Sequence, residues 1–188
     1  MGHSRAEKAK SHDRILDIAA ARIREAGLDA INLTELMQAA GLTHGGFYRH
    51  FTSRGDLIGQ ALARAFADGE AHSAAATGDH TLRSKINSYL SRSHRDEPAR
   101  GCAIAALAGD IARADTDARA LLADRLEASA GEIGGALSAE SATARREALA
   151  IMSTLVGALT LSRAVSDPAF SNEILQSARE SILSRAPT

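Results

Sequence analysis

The chain has 188 residues, which is enough for one large core or for two unequal domains. Hydrophobic residues make up 45% of it, whereas aromatic residues make up only 3% and there are 3 prolines. Because alanine and leucine favour helices and the strand-favouring aromatics are scarce, this composition predicts an all-α fold. The formal net charge of −1 excludes a protein that coats nucleic acid through bulk charge. Any DNA binding must therefore come from a local patch.

The sequence also argues against several other classes of protein. It shows no charged leader ahead of an apolar segment, and we expect its apolar stretches to fall short of the ~20 residues that cross a bilayer. A cytoplasmic protein without membrane contact is therefore expected. Cys102 is the single cysteine, so no internal disulfide can form. Metal-ligand spacings, phosphate-binding loops and nucleophile elbows are missing, so we expect no metal, no cofactor and no enzyme activity.

The first residues predict an arm followed by a helix. Residues 1–11 are polar and mildly basic, which is typical of a flexible arm. Apolar residues then recur at helical spacing over residues 13–26, and Gly27 supplies a left-handed helix end. The first structured element is therefore predicted to be one amphipathic helix.

Two short helices around a tight turn are expected next. Thr34 is a suitable N-cap for a helix over residues 35–40, which Gly41 stops. Thr43 can cap a second short helix that runs through Phe51. Such a pair can place its second helix in the major groove of DNA, with the first residues of that helix facing the base edges. The pattern therefore predicts a helix-turn-helix.

The charge of this region supports the same interpretation. Residues 36–55 contain no Asp or Glu, but they carry His44, Arg49, His50 and Arg54. A local surface without acidic groups suits the phosphate backbone of DNA.

The rest of the chain is predicted to be helical. Ser53 can cap a long helix with a continuous apolar stripe, and residues 69–80 have the composition of a loop. We expect about nine helices in total, with a DNA-binding domain at residues 1–56 and a helical ligand-sensing and dimerisation domain at 57–188. The predicted helices after the loop cover residues 81–93, 102–114, 117–137, 142–165 and 169–184. Asp167 and Pro168 separate the last two, with Asp167 as N-cap and Pro168 at the first helical position.

The stretch TELMQAAGLTHGGFYRHF, residues 34–51, resembles the TetR family of bacterial regulators. It is most similar to members whose recognition segment reads G-L-T-H-G-G-F-Y-x-H-F. The resemblance extends from the helix that ends in EAG to the following TSRGDL. Met37 and Arg54 depart from the commonest residues, Ala and Lys; Met37 should fill the module core and Arg54 should keep a phosphate-seeking charge.

The resemblance implies roles for individual residues. Phosphate contacts are expected from Thr34, Thr43, Tyr48 and His50. His44, Gly45 and Arg49 should lie nearest the bases, and Arg54 should contact the backbone. Small residues at the start of the second helix allow a close approach to DNA. The complete predicted DNA-binding set is Thr34, Thr43, His44, Gly45, Gly46, Tyr48, Arg49, His50 and Arg54.

The resemblance also implies a dimer with a helical domain that encloses a ligand cavity. The expected partners are near-palindromic operator DNA, a second copy of the chain and an unidentified small-molecule effector. The predicted dimerisation residues are apolar or small and lie on the last two helices: Leu155, Leu159, Ser162, Leu175, Ala178 and Ile182. Packing within one subunit is the alternative for each of them.

The function predicted from the sequence is a ligand-responsive DNA-binding regulator, most often a repressor that a small molecule releases from its operator. One alternative is a DNA-binding dimer with no ligand. Another is a cysteine sensor, because Cys102 is predicted at a helix amino terminus two residues from Arg100, where a thiolate is favoured. A buried, inert thiol is the simpler interpretation of Cys102.

Overall fold

A computed structural model describes residues 5–75, 81–137 and 141–184. Within these ranges the chain forms nine α-helices and three short 3-10 helices, without a strand, which confirms the predicted all-α fold. The α-helices are α1 Arg5–Ala26, α2 Leu33–Ala39, α3 Arg54–Ala75, α4 Leu82–Tyr89, α5 Arg92–Asp96, α6 Ala103–Ile111, α7 Thr116–Gly135, α8 Ser141–Ala164 and α9 Pro168–Leu183. The 3-10 helices are Leu28–Ala30, His44–Arg49 and Pro98–Arg100.

Helix α1 corrects the prediction of a flexible arm. It begins at Arg5, so residues 5–11 are helical, and residues 1–4 of the predicted arm lie outside the described ranges. The segment contains neither Gly nor Pro, and Ala, Glu and Lys are good helix formers. Further along α1, His12 stacks on Phe51 at 4.9 Å between ring centroids, which fixes this part of the helix on the module core.

Helix α2 begins two residues earlier than predicted. Its N-cap is Asn32, whose Oδ1 accepts hydrogen bonds from the backbone N–H groups of Thr34 at 3.0 Å and Glu35 at 3.3 Å. Thr34 is therefore inside the helix and does not cap it. At the other end Gly41 has φ +69°, and the N–H of Leu42 donates to the carbonyl of Met37, so the predicted glycine stop is confirmed.

Replacing Asn32 by Ala is expected to lower the free energy of unfolding by about 1 kcal/mol, because two amides of the first turn lose their acceptor. Thr34→Ala is the control, since the Thr34 side chain caps nothing, and it should cost clearly less. Chemical denaturation of both variants at equal protein concentration measures the difference. A larger loss for Thr34→Ala would contradict the observed cap.

Most of the later helices lie where they were predicted, with one division. The helix predicted over residues 81–93 is split into α4 and α5, because Leu90 ends the first and Ser91 caps the second by accepting from the N–H of His94. Asp167 caps α9 as predicted, and Pro168 occupies its first turn. The predicted loop over residues 69–80 is corrected as well, since α3 continues to Ala75; residues 76–80 lie outside the described ranges.

Helix α8 corrects the expectation that no apolar stretch is long enough for a bilayer. Residues 142–164 meet that requirement by length and composition alone. One side of α8 is buried against its neighbours α7 and α9, with Ala148 and Leu159 fully inaccessible.

Two larger apolar clusters organise the interior, beside a small third cluster between α7 and α8. The larger joins α1, α2 and α3 to α6 and α7, so the helix-turn-helix shares its core with part of the second half of the chain. Its largest fully buried members include Ile15, Ile23, Leu57, Leu107 and Ile111. The second cluster joins α4, α8 and α9. Helix α3 begins beside the predicted recognition segment and reaches the second half without interruption.

The residues predicted to form the dimer contact are mostly interior. Leu155, Leu175 and Ile182 belong to the cluster between α4, α8 and α9, and Leu159 and Ser162 are also buried within the single chain. Ala178 is half-buried against the same cluster. The prediction is corrected for the five buried residues, because their side chains already pack against helices of their own subunit.

Candidate DNA interface and ligand cavity

The short helix predicted to run through Phe51 is a 3-10 helix over His44–Arg49, so it ends two residues earlier. Thr43 stands at its N-cap position with extended backbone angles but makes no side-chain capping bond. Gly45 and Gly46 disfavour a longer regular helix, and short 3-10 turns are common in such connectors. The segment is held from below by Phe47 and Phe51, which are buried and stack at 5.5 Å between ring centroids.

The side chains predicted to contact DNA lie on the outside of the molecule. Tyr48 is the most exposed large hydrophobic residue of the described ranges, with 73% of its surface accessible, and its ring meets Phe47 edge to face. Only Gly46 and His50 of the predicted set are half-buried. The exposed members are Thr34, Thr43, His44, Gly45, Tyr48, Arg49 and Arg54.

Three contacts show how this surface is assembled. Thr34 Oγ1 lies 3.3 Å from His44 Nδ1, so the first turn of α2 and the start of the recognition segment are joined. Arg54 donates to the backbone carbonyl of Leu28 at 3.5 Å, a long bond that leaves the guanidinium exposed. Met37 is fully buried and faces Gly46, as expected of a core filler.

His50 is electrostatically distinct within the set. Its Nδ1 is buried and has no hydrogen-bond partner. Burial, followed by the positive charges of His12, Lys8 and Arg49, lowers the pKa of His50 below its usual value. The imidazole is therefore neutral at neutral pH and offers a hydrogen bond instead of a charge.

Arg24 connects the helix-turn-helix to the rest of the chain, and no pattern in the sequence indicated this role. It is buried at the end of α1, where its Nε donates to the carbonyl of Ala99 at 2.5 Å. Its Nη1 donates to the carbonyl of Ala65 at 3.2 Å and lies 3.4 Å from Asp68 Oδ2. One side chain thus joins α1 to α3 and to the 3-10 helix at Pro98–Arg100.

A second connection lies at Gly27, just after α1. Its backbone φ of +87° is one that residues other than glycine rarely adopt, and a Cβ at this position would lie 2.6 Å from Asp110 Oδ2. That carboxylate accepts the N–H of Leu28 at 3.1 Å, which fastens the start of the helix-turn-helix to α6.

The second half of the chain contains a cavity of about 560 Å³. Its walls come from α3, α4, α6, α7, α8 and the segment 97–102. This volume falls within the range of about 300–1,000 Å³ that is usual for small-molecule sites. The apolar lining residues include Phe66, Leu82, Ile86, Ile104, Ile133, Met152, Leu155 and Val156.

Cys102 lies in the wall of this cavity, at the N-cap of α6. Its backbone N–H donates to His94 Nε2 at 2.9 Å, which leaves the ring proton on Nδ1 to be donated to the carbonyl of Tyr89 at 2.7 Å. Cys102 is half-buried, which lies between the buried, inert thiol and the accessible, reactive thiol that the sequence left open.

Comparison with known proteins finds one family model that matches the amino-terminal part of the chain. The sequence model of the family described as bacterial regulatory proteins, tetR family, matches residues 15–61. That range runs from α1 through the recognition segment into α3. No curated protein sequence matches the chain.

Solved structures with the same fold cover almost the entire chain. A TetR-family transcriptional regulator from Cytophaga hutchinsonii has a TM-score of 0.79 at 16% identity, covering 98% of both chains. A TetR regulator from Legionella pneumophila has a TM-score of 0.76 at 17% identity, covering 100% of this chain and 99% of the other. The reduced form of E. coli NemR has a TM-score of 0.73 at 17% identity, covering 92% and 95%. Residues 15–61 are thus similar to the tetR family model, and the described chain has the same all-helical fold as these solved structures.

Proposed function

We propose that the protein is a transcriptional repressor that binds operator DNA as a homodimer and leaves it when a small molecule occupies the cavity. The observation that carries the proposal is the match of residues 15–61 to the tetR family, together with the exposure of the side chains expected to contact DNA. The division into a DNA-binding part at 1–56 and a sensing part at 57–188 belongs to the same proposal.

DNA binding is supported by the chemistry of the recognition surface. His44, Arg49 and Tyr48 are exposed donors on a segment without an acidic residue. In the proposed dimer two such segments enter successive major grooves about 34–36 Å apart, so the operator is near-palindromic.

Selection of bound duplexes from a random pool, followed by footprinting, tests this proposal. Tyr48→Phe removes a hydroxyl expected to contact phosphate, so it should weaken binding about equally for all sequences, by roughly 1 kcal/mol. Arg49→Ala and His44→Ala should also change which bases are preferred, at about 1–3 kcal/mol for a base contact. Failure to select any sequence, or indifference to all three changes, would contradict the proposed interface.

Ligand sensing is supported by the segment 97–102, which contacts both the cavity and helix α1. Glu97, Gly101 and Cys102 line the cavity, whereas Ala99 accepts the hydrogen bond of Arg24 at the end of α1. A ligand that displaces this segment changes the position of α1 and therefore of the recognition surface. The factor by which the ligand changes the affinity for DNA is limited by the ratio of its own affinities for the DNA-free and the DNA-bound protein. A cavity of this size favours the sensing proposal over a dimer without a ligand.

The dimer surface is proposed to lie on the exposed side of α8 together with α9. Between residues 149 and 164 the only charged residue of α8 is Arg163, which points inward to backbone carbonyls of residues 94 and 95. Large apolar side chains are nevertheless exposed on these helices: Leu149, Leu161 and Phe170. An uncharged face with exposed leucines is typical of a protein contact.

A cysteine-based sensor is a second candidate function, favoured by the position of Cys102 in the cavity wall. One protein of the same fold, E. coli NemR, has been solved in a form described as reduced. An electrophile that alkylates the thiolate would add a bulky group to the segment that contacts α1.

Treatment of the operator complex with N-ethylmaleimide tests this candidate. Release of DNA from the wild type, together with full retention by Cys102→Ser, is the expected result if the thiol is a sensor. A thiol that reacts only after denaturation would eliminate the candidate and leave the repressor proposal unaffected.

A further inference from the structure

The first turn of α6 forms part of the cavity wall. Cys102, Ala103 and Ile104 all line the cavity, and Ala103 and Ile104 are buried. The N-cap residue, Cys102, makes no side-chain capping bond, so no side chain accepts from the first-turn amides. A helix amino terminus with free N–H groups carries a partial positive charge and suits an anionic ligand.

A second donor at this end of the cavity has only a weak acceptor. The Tyr89 hydroxyl is buried and has no oxygen or nitrogen partner, although Tyr89 lines the cavity; its polar neighbour is the weakly accepting Cys102 thiol. Burial, and then the neighbouring Cys102 thiol, raises the pKa of Tyr89 well above its usual value, so the phenol keeps its proton. Buried polar groups are normally satisfied, and this one lies where a ligand atom can satisfy it.

A half-buried cation, Arg163, lies behind the same wall. Arg163 donates through Nε to the carbonyl of Arg95 and through Nη2 to that of His94, while Nη1 is buried without a partner. Within the described residues no carboxylate lies within 4.0 Å of this guanidinium. Gly101 lies between this guanidinium and the cavity. It has no side chain, and a Cβ at this position would lie only 2.8 Å from Arg163 Nη2. Asp96 is a charged neighbour of this guanidinium, and both residues line a second, more open pocket, so Arg163 adds a partly compensated positive charge behind the cavity wall.

The remaining charged lining residues do not cancel this field. Lys85 and Arg100 face the cavity, and neither has an ion-pair partner among the described side chains. Of the two acidic lining residues, Glu132 lies 3.7 Å from Arg125, and Glu97 is exposed to solvent, as Arg100 is, so that Lys85 is the half-buried charge that remains. The cavity thus combines an apolar interior with an excess of positive charge.

We propose that the cavity binds an apolar organic acid, with its carboxylate at the first turn of α6 beside Tyr89 and its hydrocarbon part against α4, α7 and α8. This inference rests on the proposed sensing function, for which it names the class of effector. The carboxylate accepts from the α6 amides and from the Tyr89 hydroxyl. Ile86, Ile133 and Met152 supply apolar surface for the chain of the acid.

Calorimetric titration of the intact protein with three amphiphiles of equal chain length tests the charge of the head group. Decanoate, decanol and decyltrimethylammonium are compared below their micelle concentrations. Decanoate should bind at least about tenfold more tightly than decanol, as expected for hydrogen bonds to a charged group, and the cation should bind most weakly. Equal or tighter binding of decanol or the cation overturns the inference but leaves the sensing proposal standing.

Two variants locate the head group. Tyr89→Phe should weaken decanoate binding about tenfold and leave decanol unchanged, because only the hydroxyl is removed. Lys85→Gln should weaken decanoate by a smaller factor, whereas Lys10→Gln, an exposed lysine of α1, should have no effect. Unchanged decanoate affinity in Tyr89→Phe overturns the placement at α6. If none of the three amphiphiles binds, the inference is overturned. The proposed function is tested separately, by operator binding and by release of the operator with other compounds.

Discussion

Replacing Arg24 by Met is expected to lower the free energy of unfolding by about 2–4 kcal/mol, because hydrogen bonds from a charged group are lost at a buried site. Only 6% of Arg24 is exposed, and it supplies the donor for the Ala99 carbonyl and a second donor for that of Ala65. Methionine keeps the aliphatic packing but donates nothing. Chemical denaturation at a fixed protein concentration measures the change, since dimer formation contributes to apparent stability.

Arg22→Met is the matched control for this experiment. Arg22 lies on the same helix, its side chain is 29% exposed, and its nearest carboxylate, that of Glu35, is 4.0 Å away. Such a pair contributes no more than about 1 kcal/mol. Equal losses in the two variants would show that the contacts of Arg24 with α3 and the 3-10 helix add nothing specific.

Replacing Leu161 by Asp is expected to convert the proposed dimer into a monomer at micromolar concentration. Leu161 is 58% exposed in the single chain and lies on the uncharged side of α8. Burial of an unpaired carboxylate in an apolar contact, added to the lost leucine area, should raise the dissociation constant of the dimer by roughly 100-fold or more. Light scattering coupled to size-exclusion chromatography measures the mass.

Ala120→Asp provides the control for charge and for helix propensity. Ala120 is exposed near the start of α7, outside α8 and α9, so this variant should remain a dimer. If Leu161→Asp keeps the same mass as Ala120→Asp, the subunits meet elsewhere. Operator affinity measured on the same preparations then shows whether DNA binding depends on the dimer.

The parts of the fold that the sequence predicted are those determined by local chemistry. Gly41 ends α2 because its positive φ suits glycine, and the Asp167–Pro168 pair begins α9. Each of these predictions needs only the few neighbouring residues.

The predictions that were wrong concern features that depend on parts of the chain distant in sequence. Asn32 and Thr34 are both good capping residues, and the extended backbone at Asn32 decides between them. The stripe of Leu155, Leu159 and Ser162 correctly indicated a buried side of α8, but a stripe does not say whether its partner belongs to the same subunit. The proposed cavity donors are contributed by α4 and α6 and the apolar lining largely by other helices, so their convergence cannot be seen in any one segment.

The continuity of α3 has a consequence for protein engineering. A chimera that joins the first 56 residues to the sensing part of another relative cuts the chain at the first turn of a helix that ends only at Ala75. Arg24 would then meet foreign residues in place of Ala65 and Ala99, and Gly27 would lie against a foreign α6. A functional exchange must therefore carry these contact positions with the DNA-binding part. Specificity for DNA and for effector can be recombined in this fold only together with the joint between them.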